Sequence, residues 1–243
     1  MDGVESSMQR SSTYAVSRSV LADQIYNALL QWLMDGRLQP GDRVSIDGMA
    51  REFNVSPTPV REALARLEST GMVAREAMRG YRVPPLPTEK QIADLMDVRM
   101  TIEPRMAELA CASRDDTFLE ELEVAVADLR SAPSGPRFND YRDYLEADER
   151  FHRLIATQCG NDYMLRAYDS LGGHVQRFRL FSGLGVTDAE FAVAEHAHIL
   201  DAIRAGDCKE AAQRMRAHVA AVRDRALADR RKIEQTAAST ELS

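Results

Sequence analysis

Asn54-Val-Ser-Pro-Thr-Pro-Val-Arg-Glu-Ala-Leu-Ala-Arg-Leu-Glu-Ser-Thr-Gly71 is the stretch that decides the N-terminal fold. Ser56 stands where an N-cap belongs, its hydroxyl able to accept an orphan backbone N–H. Pro57 falls at the first helical position, where no N–H is needed. Val60, Leu64 and Leu67 recur at helical spacing and make one apolar face, and Gly71 supplies the left-handed stop. Thr58, Arg61, Ala65 and Arg66 occupy the opposite face. A hydroxyl and a guanidinium near a helix N-terminus suit the major groove, where Arg grips phosphate or guanine. Upstream, Ser45 caps a short helix through Phe53 whose Ile46, Met49, Ala50 and Phe53 face inward. Asn54 and Val55 make a tight turn between the two, which predicts a helix-turn-helix. Downstream, Met72–Ala74 and Tyr81–Val83 predict two short strands around a polar turn, a wing.

Composition sets the frame around this unit. At 243 residues, 44% of them hydrophobic, the chain is long enough for two globular domains. No apolar run approaches the ~18–20 residues of a membrane span, and the start lacks a basic-then-apolar leader, so the expectation is a cytoplasmic protein. Cys111, Cys159 and Cys208 have no CxxC spacing and read as reduced core thiols. The net charge of −7 is unevenly divided: residues 18–84 hold nine Arg against eight acids, residues 85–243 hold 21 basic against 28 acidic. DNA binding would then rest on local Arg placement and on two copies of the reader.

Residues 1–17 are Ser-rich and predicted mobile; 18–83 form the winged helix-turn-helix. Pro84-Pro-Leu-Pro87 predicts a semi-rigid linker. Residues 88–232 read as six helices in an antiparallel bundle, starting near Thr88, Thr117, Phe138, Asp162, Thr187 and Asp207, and residues 233–243 as a disordered tail. The fold class is therefore mainly α.

Polar residues inside the apolar stripes carry the chemistry. Asp148 and His152 lie one turn apart in the stripe Tyr141, Leu145, Asp148, His152, Ile155, Cys159. His196 falls between Ala192 and Ile199, and His218 between Met215 and Val222; His174 and His198 fall off the stripes. One carboxylate and three imidazoles thus point inward from three helices. Burying them without partners would cost several kcal/mol, and one divalent cation satisfies all four. Arg99 also interrupts an apolar stripe, between Met96 and Ile102. Its buried charge needs a carboxylate, supplied either by Glu103 four residues on or by a bound acid.

"VSPTPVREALARLESTGMV" followed by a Gly-aromatic-x-Val strand resembles the GntR family of bacterial transcription regulators. Asp148-x-x-Phe-His152, Glu195-His196-x-x-Ile199 and Met215-x-x-His218 resemble the FCD ligand-binding domain of its FadR branch, and six helices are similar to the VanR-type subgroup. The resemblance spans about residues 20–230. It implies a metal (zinc, nickel or manganese) held by Asp148, His152, His196 and His218. It also implies a small carboxylate effector beside the metal, gripped by Arg99 with Arg177 as a second positive wall. A homodimer would read palindromic double-stranded operator DNA through Arg51, Ser56, Thr58, Arg61, Arg79 and Tyr81, most commonly as a ligand-relieved repressor. Asp47 and Pro57 depart from the basic residues found there in fatty-acid-responsive relatives. Two alternatives stay open: a metal-dependent regulator with no organic ligand, and a metal-dependent enzyme, for which no general base or use for a wing is evident.

Overall fold

The computed structural model describes residues 20–77, 79–133, 135, 137–180 and 188–241, with the side chains of 172–180 and 236–241 excepted. The N-terminal 1–17 and the side chain of Arg177 therefore lie outside the described residues. The chain divides into two compact units, 1–85 and 86–243, the division falling inside the proline-rich stretch.

In the first unit, helix α1 covers residues 20–34. Then come β1 (Arg43–Val44), α2 (Ile46–Glu52), α3 (Pro57–Ser69), β2 (Ala74–Glu76) and β3 (Gly80–Arg82). Ser45 caps α2, its hydroxyl accepting from Gly48 N at 2.9 Å. Asn54 takes the left-handed conformation, φ 52°, that lets α3 turn away from α2; a short polar side chain tolerates this where most residues do not. Gly71, φ 71°, stops the chain after α3 in the same way. Val60, Leu64 and Leu67 are fully buried, as the helical spacing requires.

Two details differ from the sequence reading. The sheet has three strands in the order β1-β3-β2, with Arg43 opposite Arg82 and Val44 opposite Tyr81. A two-residue strand carries no periodicity, so β1 was invisible in the sequence. Ser56 holds the N-cap position of α3 in extended backbone, yet its hydroxyl makes no capping bond. The third helical residue is Pro59, which has no N–H to offer it.

The second unit contains α4 (Glu89–Ala112), α5 (Asp116–Ser131), α6 (Phe138–Gln158), α7 (Asp162–Leu180), α8 (Ala189–Ala205) and α9 (Cys208–Glu241). Thr88 and Gln91 form a reciprocal capping box at the start of α4. The start of α8 moves to an Asp188 N-cap, whose carboxylate accepts from Arg225 Nε at 2.6 Å instead of capping. Gly206, φ 76°, ends α8. The last helix continues to Glu241, past the expected end and through the stretch read as a disordered tail, because Lys232, Glu234, Gln235, Ala237 and Ala238 are good helix formers.

Antiparallel α4 and α9 make the most extensive helix pair. The main core, including Met96, Met106, Leu122, Phe151, Ile155, Ile199, Ile203 and Met215, fills the bundle, and a smaller cluster gathers Leu129, Tyr144, Ala147 and Ala192. The cysteines correct the sequence reading: Cys111, at the end of α4, is bonded to Cys208, the first residue of α9, with Cα atoms 5.3 Å apart, and only Cys159 is a free buried thiol. The two lie 97 residues apart, so no local spacing could announce the pair.

Candidate metal centre and DNA-reading face

Helix periodicity brings Asp148 and His152 of α6, His196 of α8 and His218 of α9 into the core, at 6%, 3%, 0% and 1% exposure. One ring nitrogen from each histidine lies within 4.8 Å of the other two. His152 Nε2 and His218 Nε2 are 3.3 Å apart, and Asp148 Oδ1 is 3.4 Å from His196 Nε2. Two ligands about 2.1 Å from a tetrahedral ion stand roughly 3.4 Å apart, so both spacings suit one cation.

The opposite edge of each ring is held. His218 Nδ1–H donates to Glu195 Oε2 at 2.7 Å, and His196 Nδ1–H donates to the Ala192 carbonyl at 2.6 Å. His152 Nδ1 lies 2.9 Å from Glu103 Oε2, without the alignment of a hydrogen bond. Each of these two glutamates is itself held by an arginine. Arg99 grips Glu103 through Nε to Oε1 and Nη2 to Oε2, the latter 3.2 Å. Arg225 donates to both oxygens of Glu195 at 2.8 and 2.9 Å. Two parallel Arg–Glu–His chains therefore turn their Nε2 atoms toward one another. Such backing is what orients metal-ligating imidazoles and raises their basicity.

Electrostatics agree with this geometry. Burial pushes the His196 imidazole well below its ordinary value, and burial likewise lowers His218 despite its bond to Glu195. Both are thus neutral, as ligands must be. Burial would raise Glu103, but the charges of Arg99 and His152 outweigh it and hold the carboxyl well below its usual range. Glu195, similarly opposed by burial, is drawn down to about 2 by His218 and Arg225. His196 Nε2 is buried with no hydrogen-bond partner. This donor set fits a divalent first-row ion.

All four ligand candidates read from the sequence are brought together. Arg99, 1% exposed, is engaged by Glu103, the internal alternative, and stands one residue away from His152 in that chain. Glu195 and Arg225 were missed as orienting groups; Arg225 follows His218 at i+7, on the same stripe, which was the available signal.

On the first unit Arg51, Ser56, Thr58, Arg61 and Arg79 are exposed. Tyr81 is not: it is 4% exposed, because period-two alternation in β3 turns it inward between outward Gly80 and Arg82. It supports the wing rather than displaying a side chain. Arg37, Arg66 and Arg82 are neutralised by Glu52, Asp23 and Glu76. Arg43, Arg51, Arg61, Arg75 and Arg79 are exposed and make no ion-pair contact among the described residues, which leaves their charge available on a near-neutral domain.

Comparison with known proteins follows the same division. Residues 21–83 match the model described as bacterial regulatory proteins, gntR family, and residues 94–221 match the FCD domain. An uncharacterised HTH-type transcriptional regulator in an unstable DNA locus of Streptomyces ambofaciens is 31% identical over 205 residues, 82% of each chain. The HTH-type transcriptional repressor GlaR of Escherichia coli is 24% identical, covering 80% of this chain and 90% of its own. Among solved structures, E. coli McbR/YncC superimposes with a TM-score of 0.64 at 21% identity, covering 84% of this chain and 97% of that one. The family is one of regulatory proteins, not enzymes, and the two sequence relatives are named as regulators of transcription. This chain belongs to the GntR family of bacterial regulatory proteins and carries an FCD domain behind its helix-turn-helix.

Proposed function

We propose that this protein is a FadR-branch, VanR-type regulator that binds double-stranded operator DNA as a homodimer and represses transcription until a small carboxylate reaches a metal in its helical domain. The observation that carries the metal is the pair of facing imidazole nitrogens, His152 Nε2 and His218 Nε2, each with its far edge turned to a glutamate. Asp148, His152, His196 and His218 would hold the ion, and zinc, nickel and manganese all suit the set. When bound, the metal supplies an electrophilic position at which an organic carboxylate can coordinate.

The chain's own residues do the rest. Glu103 and Glu195 orient two imidazoles, and Arg99 and Arg225 keep those carboxylates charged. On the same α9 that carries His218, Arg230 Nε donates to the Pro87 carbonyl at 2.9 Å, and Arg231 pairs with Glu89 at 2.9 Å. The metal helix thus holds the end of the linker, and a change in α9 packing reaches the DNA-binding unit through it. A ligand acts only through unequal affinity for the two packings. Arg51, Ser56, Thr58, Arg61 and Arg79 meet the DNA, with the uncapped Ser56 hydroxyl left available to a phosphate.

One observation favours a second reading, a metal-responsive regulator with no organic effector: two nitrogens of Arg99 are already engaged by Glu103. Operator binding measured by fluorescence anisotropy with zinc alone, then with zinc and a panel of small carboxylates, separates the two. A carboxylate-dependent change supports the first reading; a metal-dependent change that no acid modifies supports the second.

A further inference from the structure

Cys111 is fully buried at the end of α4, and Cys208 is the half-buried first residue of α9. Their Cα atoms are 5.3 Å apart, inside the range that a disulfide spans without backbone movement. A DNA-binding regulator works beside its DNA, where reductants keep thiols reduced; a bond between cysteines there is usually transient and redox-sensing. Two features favour reactivity at Cys208. It is the first residue of α9, whose backbone N–H groups favour a thiolate, while the neighbouring Asp207 carboxylate, accepting from Glu210 N at 3.0 Å, opposes it. The Arg114 guanidinium lies over Gly206, close enough that a Cβ there would stand 2.5 Å from Nη2. Arg114 also donates to the Cys111 carbonyl at 3.0 Å, which places a cation between the two cysteine-bearing chain ends.

We propose that Cys111 and Cys208 are a hydroperoxide-oxidisable thiol pair whose bond locks α4 against α9 and thereby sets the metal affinity of the histidine centre. The Cys208 thiolate attacks one peroxide oxygen; the O–O bond breaks, a sulfenic acid forms, and the other oxygen leaves as alcohol or water after taking a proton. The Cys111 thiol then attacks the sulfenic sulfur, the S–S bond forms and water leaves, so that two thiols are oxidised and one peroxide is reduced. A dithiol reverses the step by exchange. The bond matters to the metal centre because of where it lies. Glu103 is about 12 Å back along α4 from Cys111, and His218 about 15 Å along α9 from Cys208, at 1.5 Å per residue. Fixing this helix register fixes Glu103 relative to His218 and the linker-holding arginines on α9. The zinc half of the proposal rests on the metal reading above; the thiol half does not.

The test uses the full chain, reduced under native conditions with dithiothreitol and then treated with hydrogen peroxide. Mass spectrometry and alkylation follow the thiols, and competition with a chromophoric chelator follows zinc. The expected result is an intrachain product lighter by two hydrogens that dithiothreitol reopens without unfolding. The reduced form should melt lower by on the order of 10 °C, as opening a 97-residue loop implies. Zinc affinity should differ by about fivefold or more between the forms, and peroxide should leave it unchanged in Cys208→Ser. A bond that resists dithiothreitol until the chain unfolds, or equal zinc affinities in both forms of the wild type, overturns the proposal. Zinc binding by neither form overturns the metal reading instead, while the thiol readouts still decide their own half.

Discussion

Replacing Glu103 by alanine strips the buried Arg99 of its partner and His152 of its backing at once. Both members of the ion pair have side chains only 2% exposed, so the guanidinium loses its carboxylate without gaining water. Breaking such a pair from one side costs about 3–5 kcal/mol. At roughly 2–4 °C per kcal/mol for a domain of this size, the melting temperature should fall by about 6–20 °C. The double variant Arg99→Met/Glu103→Leu removes both charges and fills the space with apolar atoms. Its stability should return to within about 1 kcal/mol of wild type. Its metal affinity should not recover, because His152 Nδ1 still lacks its carboxylate; loss of such an orienting group weakens a metal by about 10–100-fold. Thermal melting of the metal-free protein and a zinc competition titration read the two effects separately. If the double variant bound zinc like wild type, Glu103 would be only a counter-charge for Arg99, and the Arg–Glu–His argument would fail.

Other outcomes follow from the same structure. Arg61→Ala should weaken operator binding by about 1–3 kcal/mol in fluorescence anisotropy with the melting curve unchanged; unaltered affinity removes Arg61 from the interface. Tyr81→Ala should instead lower the stability of the winged unit by about 3–5 kcal/mol, because its ring is core; an unchanged melt with weaker DNA binding would restore it as a contact. Arg225→Met should weaken zinc through Glu195 and His218 without touching α4, and equal zinc affinity would show that Glu195 needs no arginine. Arg230→Ala should leave zinc affinity intact while abolishing any zinc-dependent change in operator affinity; full retention of that change means the Pro87 contact carries no signal.

The features legible in the sequence are those that periodicity or caps impose. Val60, Leu64 and Leu67, and equally Met215, His218 and Val222, announce their buried faces because helical spacing leaves them no other place. The four inward metal candidates were legible for the same reason. What escaped the sequence depends on non-local contact or on a conflict between neighbouring residues. The Cys111–Cys208 bond joins positions 97 residues apart, and the Arg225–Glu195 contact joins α9 to α8. Ser56 looked like a capping hydroxyl, and only Pro59, three residues on, explains why it caps nothing. Tyr81 sits in a strand too short for alternation to be read with force, so its aromatic ring beside a polar turn reads from sequence as a surface contact.

Native mass spectrometry of the full chain after incubation with zinc, beside Asp148→Ala/His196→Ala, tests the central claim most directly. The account predicts one metal ion retained per wild-type chain and none in the double variant, with both proteins folded. A wild-type chain that takes up no metal on add-back would contradict it. In that case the inward histidines are core residues held by Glu103, Ala192 and Glu195, and only the DNA-reading half of the account would stand.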